Sequence, residues 1–135
     1  MRAPSNGGGR IDAWFLVLAA TCLIGGTGLG IGMGIAHDFE LVPVHAHVNL
    51  LGWASLALFG LVYRVYPDLV RSRLALVHFG LAAPTAVLFP LGIYLAITQE
   101  QPALAIAASL LWFGGALAFL VNLLRMLAFP VPATA

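Results

Sequence analysis

The chain has 135 residues, of which 61% are hydrophobic and only 8% charged, with a net charge of +1. A soluble domain carries about 25% charged residues, so an aqueous globular fold is excluded and membrane embedding is the expected class. The near-neutral balance, built on arginine with no lysine, gives no basis for a nucleic-acid partner.

Residues 1–11 are rich in Pro, Gly and Ser and read as a disordered head. Four apolar segments follow, at about residues 13–36, 45–66, 74–97 and 103–129. Each reaches the roughly 20 residues that a bilayer core requires of a helix. The expected fold is all-α: a polytopic protein with one four-helix transmembrane domain, residues 12–129, and a short tail, residues 130–135. The connections are short, so consecutive helices should be antiparallel neighbours.

In the first segment Asp12 favours the helix start. The single cysteine, Cys22, excludes an intrachain disulfide and a cysteine-based zinc site. It reads as a small packing residue; a lipoprotein signal fits the preceding Leu18-Ala-Ala-Thr21 poorly. The later half of the segment is loaded with glycine: Gly25, Gly26, Gly28, Gly30, Gly32 and Gly34. Gly26, Gly30 and Gly34 form overlapping small-xxx-small steps that let another helix approach closely. The functional alternative is a flat cofactor lying against bare backbone. His37, in His37-Asp-Phe-Glu, is a loop residue with a possible ligand role.

The second segment opens with His45-Ala-His47-Val-Asn49. Ionisable residues at membrane depth are functional candidates by default. On a helix, residues two apart point about 200° apart. His45 and His47 therefore suit two neighbouring sites better than one shared metal ion. Asn49 can bond a neighbouring helix or orient a ligand histidine. The third segment carries Pro84 and Pro90, expected to kink or loosen it, and His78, read as structural or interfacial. Trp14, Tyr63, Tyr66 and Tyr94 fall near span ends and read as interfacial anchors.

All six arginines flank the first, second–third and fourth segment ends: Arg2, Arg10, Arg64, Arg71, Arg73 and Arg125. The other two connections hold only Asp38, Glu40 and Glu100. The positive-inside rule then puts both termini in the cytoplasm. His37, His45 and His47 cluster at the outer face, about 20 Å above His78. Three readings of that cluster stand: interfacial histidines bonded to water, axial ligation of haem iron by a neutral imidazole, or a copper or zinc site using His37 with His45 or His47 and nearby Asp38 or Glu40. No acidic residue lies mid-span, which argues against a proton-driven transporter. No nucleophile–base pair or phosphate loop marks an enzyme.

The stretch Pro43-Val-His45-Ala-His47-Val-Asn49-Leu-Leu-Gly-Trp53, continuing to Tyr63-Arg-Val-Tyr66-Pro67, resembles subunit I of the haem–copper oxidases, nearest to the cbb3-type oxidases and nitric oxide reductases. In that family the second helix begins at the outer face with a histidine that ligates low-spin haem. His47-Val-Asn49 matches the family's His-x-Asn step, and His45 follows a Pro-x as the family's ligand does. The match covers about 25 residues. It implies haem b bound at His45 and His47, with Asn49, Gly26 and Gly30 around it. The family's twelve helices form three arcs of four, so the resemblance also implies a homotrimer, with His45 of one protomer facing His47 of the next across a bis-histidine haem. A role in electron transfer with a respiratory-chain redox partner, or in haem handling, in a bacterial inner membrane follows. The family's outer-side arginines, copper-site histidines and proton-channel residues have no counterparts, so oxygen or nitric oxide reduction is not implied. A copper or zinc accessory protein and a cofactor-free helical scaffold are the alternatives.

Overall fold

A computed structural model describes residues 10–128. The head's residues 1–9, Phe129 and the tail 130–135 lie outside the described residues. Among the described residues there are four helices long and apolar enough to cross a membrane: α1 (Ile11–Ala36), α2 (Val42–Val65), α3 (Arg73–Gln99) and α4 (Ala103–Ala128). A helix is what such segments must form in lipid, because only there does each backbone group find a partner within its own segment. Side chains such as Ile24, Ile35 and Leu127 are 75%, 77% and 80% exposed. The apolar residues thus face outward as well as inward, as they do where the solvent is hydrocarbon.

Helix α1 starts with Asp12 in its first turn and stops at His37, whose backbone is left-handed, φ 53°. The N–H of His37 donates to Met33 O, and Asp38 N–H reaches the same carbonyl at 3.2 Å. Helix α2 begins at Val42, three residues before the histidine pair was expected to open it. Pro43 sits in its first turn, where a missing N–H costs nothing. From Val48 to Ser55 the helix widens into a π-helix. It ends before Pro67, which starts a single helical turn, Pro67–Val70. Ser72 then caps α3, its hydroxyl accepting from Leu74 N–H at 3.2 Å.

Helix α3 runs unbroken through Pro84 and Pro90, which were expected to kink or loosen it. Each proline frees the carbonyl four residues earlier. One of these, Ala86 O, lies 3.8 Å from where a Gly52 side chain would stand on α2. The neighbouring Thr85 hydroxyl donates to Leu81 O at 2.6 Å. Helix α3 ends at Glu100, again left-handed, φ 56°.

Small residues bring the helices together. Gly92 of α3 meets the backbone nitrogen of Ala105 on α4, leaving no room for a methyl group. A Cβ on Gly52 would lie 2.7 Å from Cys22 Sγ, and one on Gly60 would lie 3.0 Å from Asp12 O. Cys22 is thus the packing residue its surroundings suggested. Two hairpins result, α1–α2 and α3–α4, and consecutive helices are antiparallel neighbours as their short connections require. The ends of α1 and α2 near the arginines are tied by Arg64 and Asp12 at 2.9 Å. This is the arginine end of the molecule, and the opposite one is the histidine-pair end.

Candidate functional site

At the histidine-pair end, helical geometry sends the two imidazoles to different neighbours. His45 turns to α1, where Nδ1–H donates to Gly26 O at 2.9 Å. Its ring lies over Gly30: a Cβ there would stand 2.8 Å from Cε1. His47 turns toward α3 and lies against the Phe89 ring, centroids 5.1 Å apart. Its Nδ1–H donates to Pro43 O at 2.8 Å. The residues two positions apart thus diverge as the 200° spacing demands. Both rings are half-buried, and in both the carbonyl bond assigns the proton to Nδ1 and the lone pair to Nε2 of the neutral form.

Asn49, one turn beyond His45, donates from Nδ2 to His45 O at 2.8 Å. Its amide fills the hollow at Gly26, where a Cβ would stand 2.6 Å from Nδ2. Gly26 and Gly30 are therefore cradles for Asn49 and His45. At Gly25, Gly28, Gly32 and Gly34 an added Cβ would meet nothing within 4 Å, and Gly25, Gly28 and Gly32, three and four residues apart, leave a bare strip along α1. His37 is exposed and engages Ile35 O through Nδ1 at 3.2 Å. Among the described residues no group of three or more His, Cys, Asp or Glu side chains is placed to hold a metal ion.

The arginine end holds a histidine of another kind. His78 is 0% exposed and boxed by rings from the other three helices: Phe15 at 5.1 Å, Phe59 at 4.4 Å and Phe119 at 4.9 Å between centroids, with Tyr63 at 5.7 Å. Tyr63 OH and His78 Nδ1 share a hydrogen bond of 2.9 Å. His78 Nε2 is the one buried side-chain polar atom without a partner among the described residues. Tyr63 is 1% exposed, so its expected role as an interfacial anchor is corrected: its hydroxyl serves His78, not the headgroup region. Trp14 and Tyr66 do lie exposed.

Sequence reading missed this pair and a second buried contact, Asn122 Nδ2 donating to Leu69 O at 3.1 Å. A signal for the first existed. Tyr63 and His78 stand near the end of α2 and the start of α3, so the tight turn between those helices brings them level. No protein-family model, curated protein or solved structure matches the chain.

Proposed function

We propose that this chain is a haem b-binding protein of a bacterial cytoplasmic membrane, resembling one four-helix arc of haem–copper oxidase subunit I and serving electron transfer or haem handling. The observation that carries the reading is the shared state of His45 and His47. Each gives its Nδ1 proton to a backbone carbonyl, which orients the ring and puts the lone pair an iron ion requires on Nε2; in His45 the Asn49 amide stands 3.5 Å from that nitrogen and must yield it to a ligand. The donor set fits the group. The cradles at Gly26 and Gly30 are filled by Asn49 and His45, so the cofactor belongs outside the single protomer.

The diverging rings favour a site shared by copies, His45 of one and His47 of the next, in a homotrimer. The arginines favour an orientation with both termini in the cytoplasm. Bound there, haem would supply one-electron redox chemistry toward a respiratory-chain partner. Gly26 O, Pro43 O and Asn49 hold the two ligands in place. The filled cradles also favour a second reading, a cofactor-free scaffold in which His45 and Asn49 fasten α2 to α1.

The visible spectrum of the purified protein, with native mass spectrometry in detergent, decides between them. The haem reading expects a trimer, a Soret band and sharp α and β bands on reduction. His45→Ala and His47→Ala should each abolish those bands, and His78→Ala should keep them. Monomers alone, or an unchanged spectrum in either of the first two variants, would reject the shared site. A colourless protein without bound copper or zinc would favour the scaffold, and a colourless one with stoichiometric copper or zinc the metal accessory protein.

A further inference from the structure

At the arginine end, far from His45 and His47, a cavity of about 630 Å³ opens between the α2–α3 turn and the last turns of α4. Its lining combines apolar Val65, Leu69 and Met126 with polar Arg71, Ser72 and Arg125, and with Asp68, the partner of Arg71. Two contacts among its lining residues and their neighbours tie its frame down. Buried Asn122 holds Leu69 O at 3.1 Å, and Ser72 caps the 27-residue α3 by accepting from Leu74 N–H.

The two arginines differ in their charge balance. Arg71 pairs with Asp68 at 2.9 Å, both largely exposed. Arg125 donates from Nη1 to Ser72 Oγ at 2.7 Å, a neutral partner. Among the described residues no carboxylate lies within salt-bridge distance of Arg125. A guanidinium carries five donors in a planar fork suited to phosphate oxygens, and this one spends a single nitrogen on a hydroxyl. It stands one turn from the end of α4, at the level where α2 stops and α3 starts. A cationic head beside apolar lining at the end of the spans is the shape of a receptor for an anionic amphiphile. A cavity of this size lies in the range of small-molecule sites, about 300–1,000 Å³. Basic pockets between transmembrane helices hold lipid headgroups by this combination.

We propose that this cavity binds the phosphate headgroup of an anionic phospholipid, with Arg125 as its principal contact, Arg71 at its rim and Leu69 and Met126 against the glycerol and upper acyl carbons. The site is independent of any haem at the other end.

The test uses the full chain, delipidated in detergent and titrated with phosphatidylglycerol, phosphatidylcholine or inorganic phosphate. Bound lipid is counted by native mass spectrometry and the thermal midpoint is followed in parallel. Phosphatidylglycerol should bind in preference to phosphatidylcholine and raise the midpoint. Arg125→Gln should weaken it about fivefold, the worth of roughly 1 kcal/mol per basic residue near a membrane surface. Arg125→Lys should retain most of the binding, which separates loss of charge from loss of fold. Arg64→Gln, outside the cavity, should leave it unchanged. Equal binding of the two lipids, or equal losses in Arg125→Gln and Arg64→Gln, would overturn the site. Saturation by inorganic phosphate with no preference between the lipids would assign a free anion and overturn the lipid.

Discussion

Around His78, helices meet through rings; around His45, they meet through missing side chains. Phe15 alone contacts Phe59, Tyr63, His78 and Phe79 with centroids 5.0–5.8 Å apart. At the other end, Gly26 and Gly30 admit a carboxamide and an imidazole to the surface of α1. The first arrangement fixes a histidine by volume, and the second by hydrogen bonds to backbone. In lipid this difference is consequential, because apolar burial alone gives helices little reason to associate and close packing and interhelical bonds must do so. A ring held by volume is immovable while its neighbours stay. One held over glycine depends on its bonds: His45 Nδ1 to Gly26 O at 2.9 Å and Nε2 to the Asn49 amide at 3.5 Å.

The largest effect should come from emptying the box. Phe15 is 0% exposed, and truncating such a ring costs about 3–5 kcal/mol through lost contacts and the cavity left behind. Phe15→Ala should lower stability by that amount in a denaturant titration of the detergent-solubilised protein. Phe39, 60% exposed in the first connection, is the control: Phe39→Ala should stay within about 0.5 kcal/mol. Similar costs at the two positions would mean that the aromatic box does not organise the arginine end.

The next effect is polar. Among the described residues, Tyr63→Phe removes the only hydrogen-bond partner of a ring whose other nitrogen already lacks one. An unmet buried donor or acceptor costs about 1–3 kcal/mol, so the variant should lose that much stability. In a His78→Phe background the same substitution should be nearly neutral, because no imidazole is left to satisfy. A double-mutant cycle gives the coupling directly. Additive costs would show that Tyr63 acts through packing alone.

How much of this was legible in the sequence follows from what periodicity can carry. The four spans and their antiparallel order were read from apolar length, and their ends shifted by only a few residues. Proline at the first turn moved the start of α2 back to Val42. The divergence of His45 and His47 was readable because it depends only on helix geometry. What lay beyond reach were facts about neighbours. Tyr63 near a span end has the composition of an anchor, and only the packing of α2 on α3 turns its hydroxyl inward. The π-helix of Val48–Ser55 spans the close approach of Gly52 to Cys22, and no local residue pattern announces it. The glycines of α1 were visible as a set, but which of them receive side chains depends on the register of α2 against them.

That register supplies the smallest and most discriminating prediction. Gly28 and Gly30 are two residues apart on α1, and only Gly30 has a neighbour: a Cβ there would lie 2.8 Å from His45 Cε1 and 3.2 Å from Nδ1. Gly30→Ala must push the ring outward and strain its bond to Gly26 O, a cost of about 1 kcal/mol, near the low end for overpacking because a half-buried ring can yield. The cost should disappear in a His45→Ala background, where the methyl group enters vacated space. Gly28→Ala meets open space in the single protomer, so it should stabilise α1 by about 0.5–1 kcal/mol through helix propensity alone. Opposite signs at these two positions would locate the imidazole over Gly30 without any spectrum. If the protein forms the proposed trimer, its loss in Gly28→Ala, measured by native mass spectrometry, would instead mean that the bare strip of α1 is where a second copy packs, since a methyl group obstructs only a surface that another helix approaches closely.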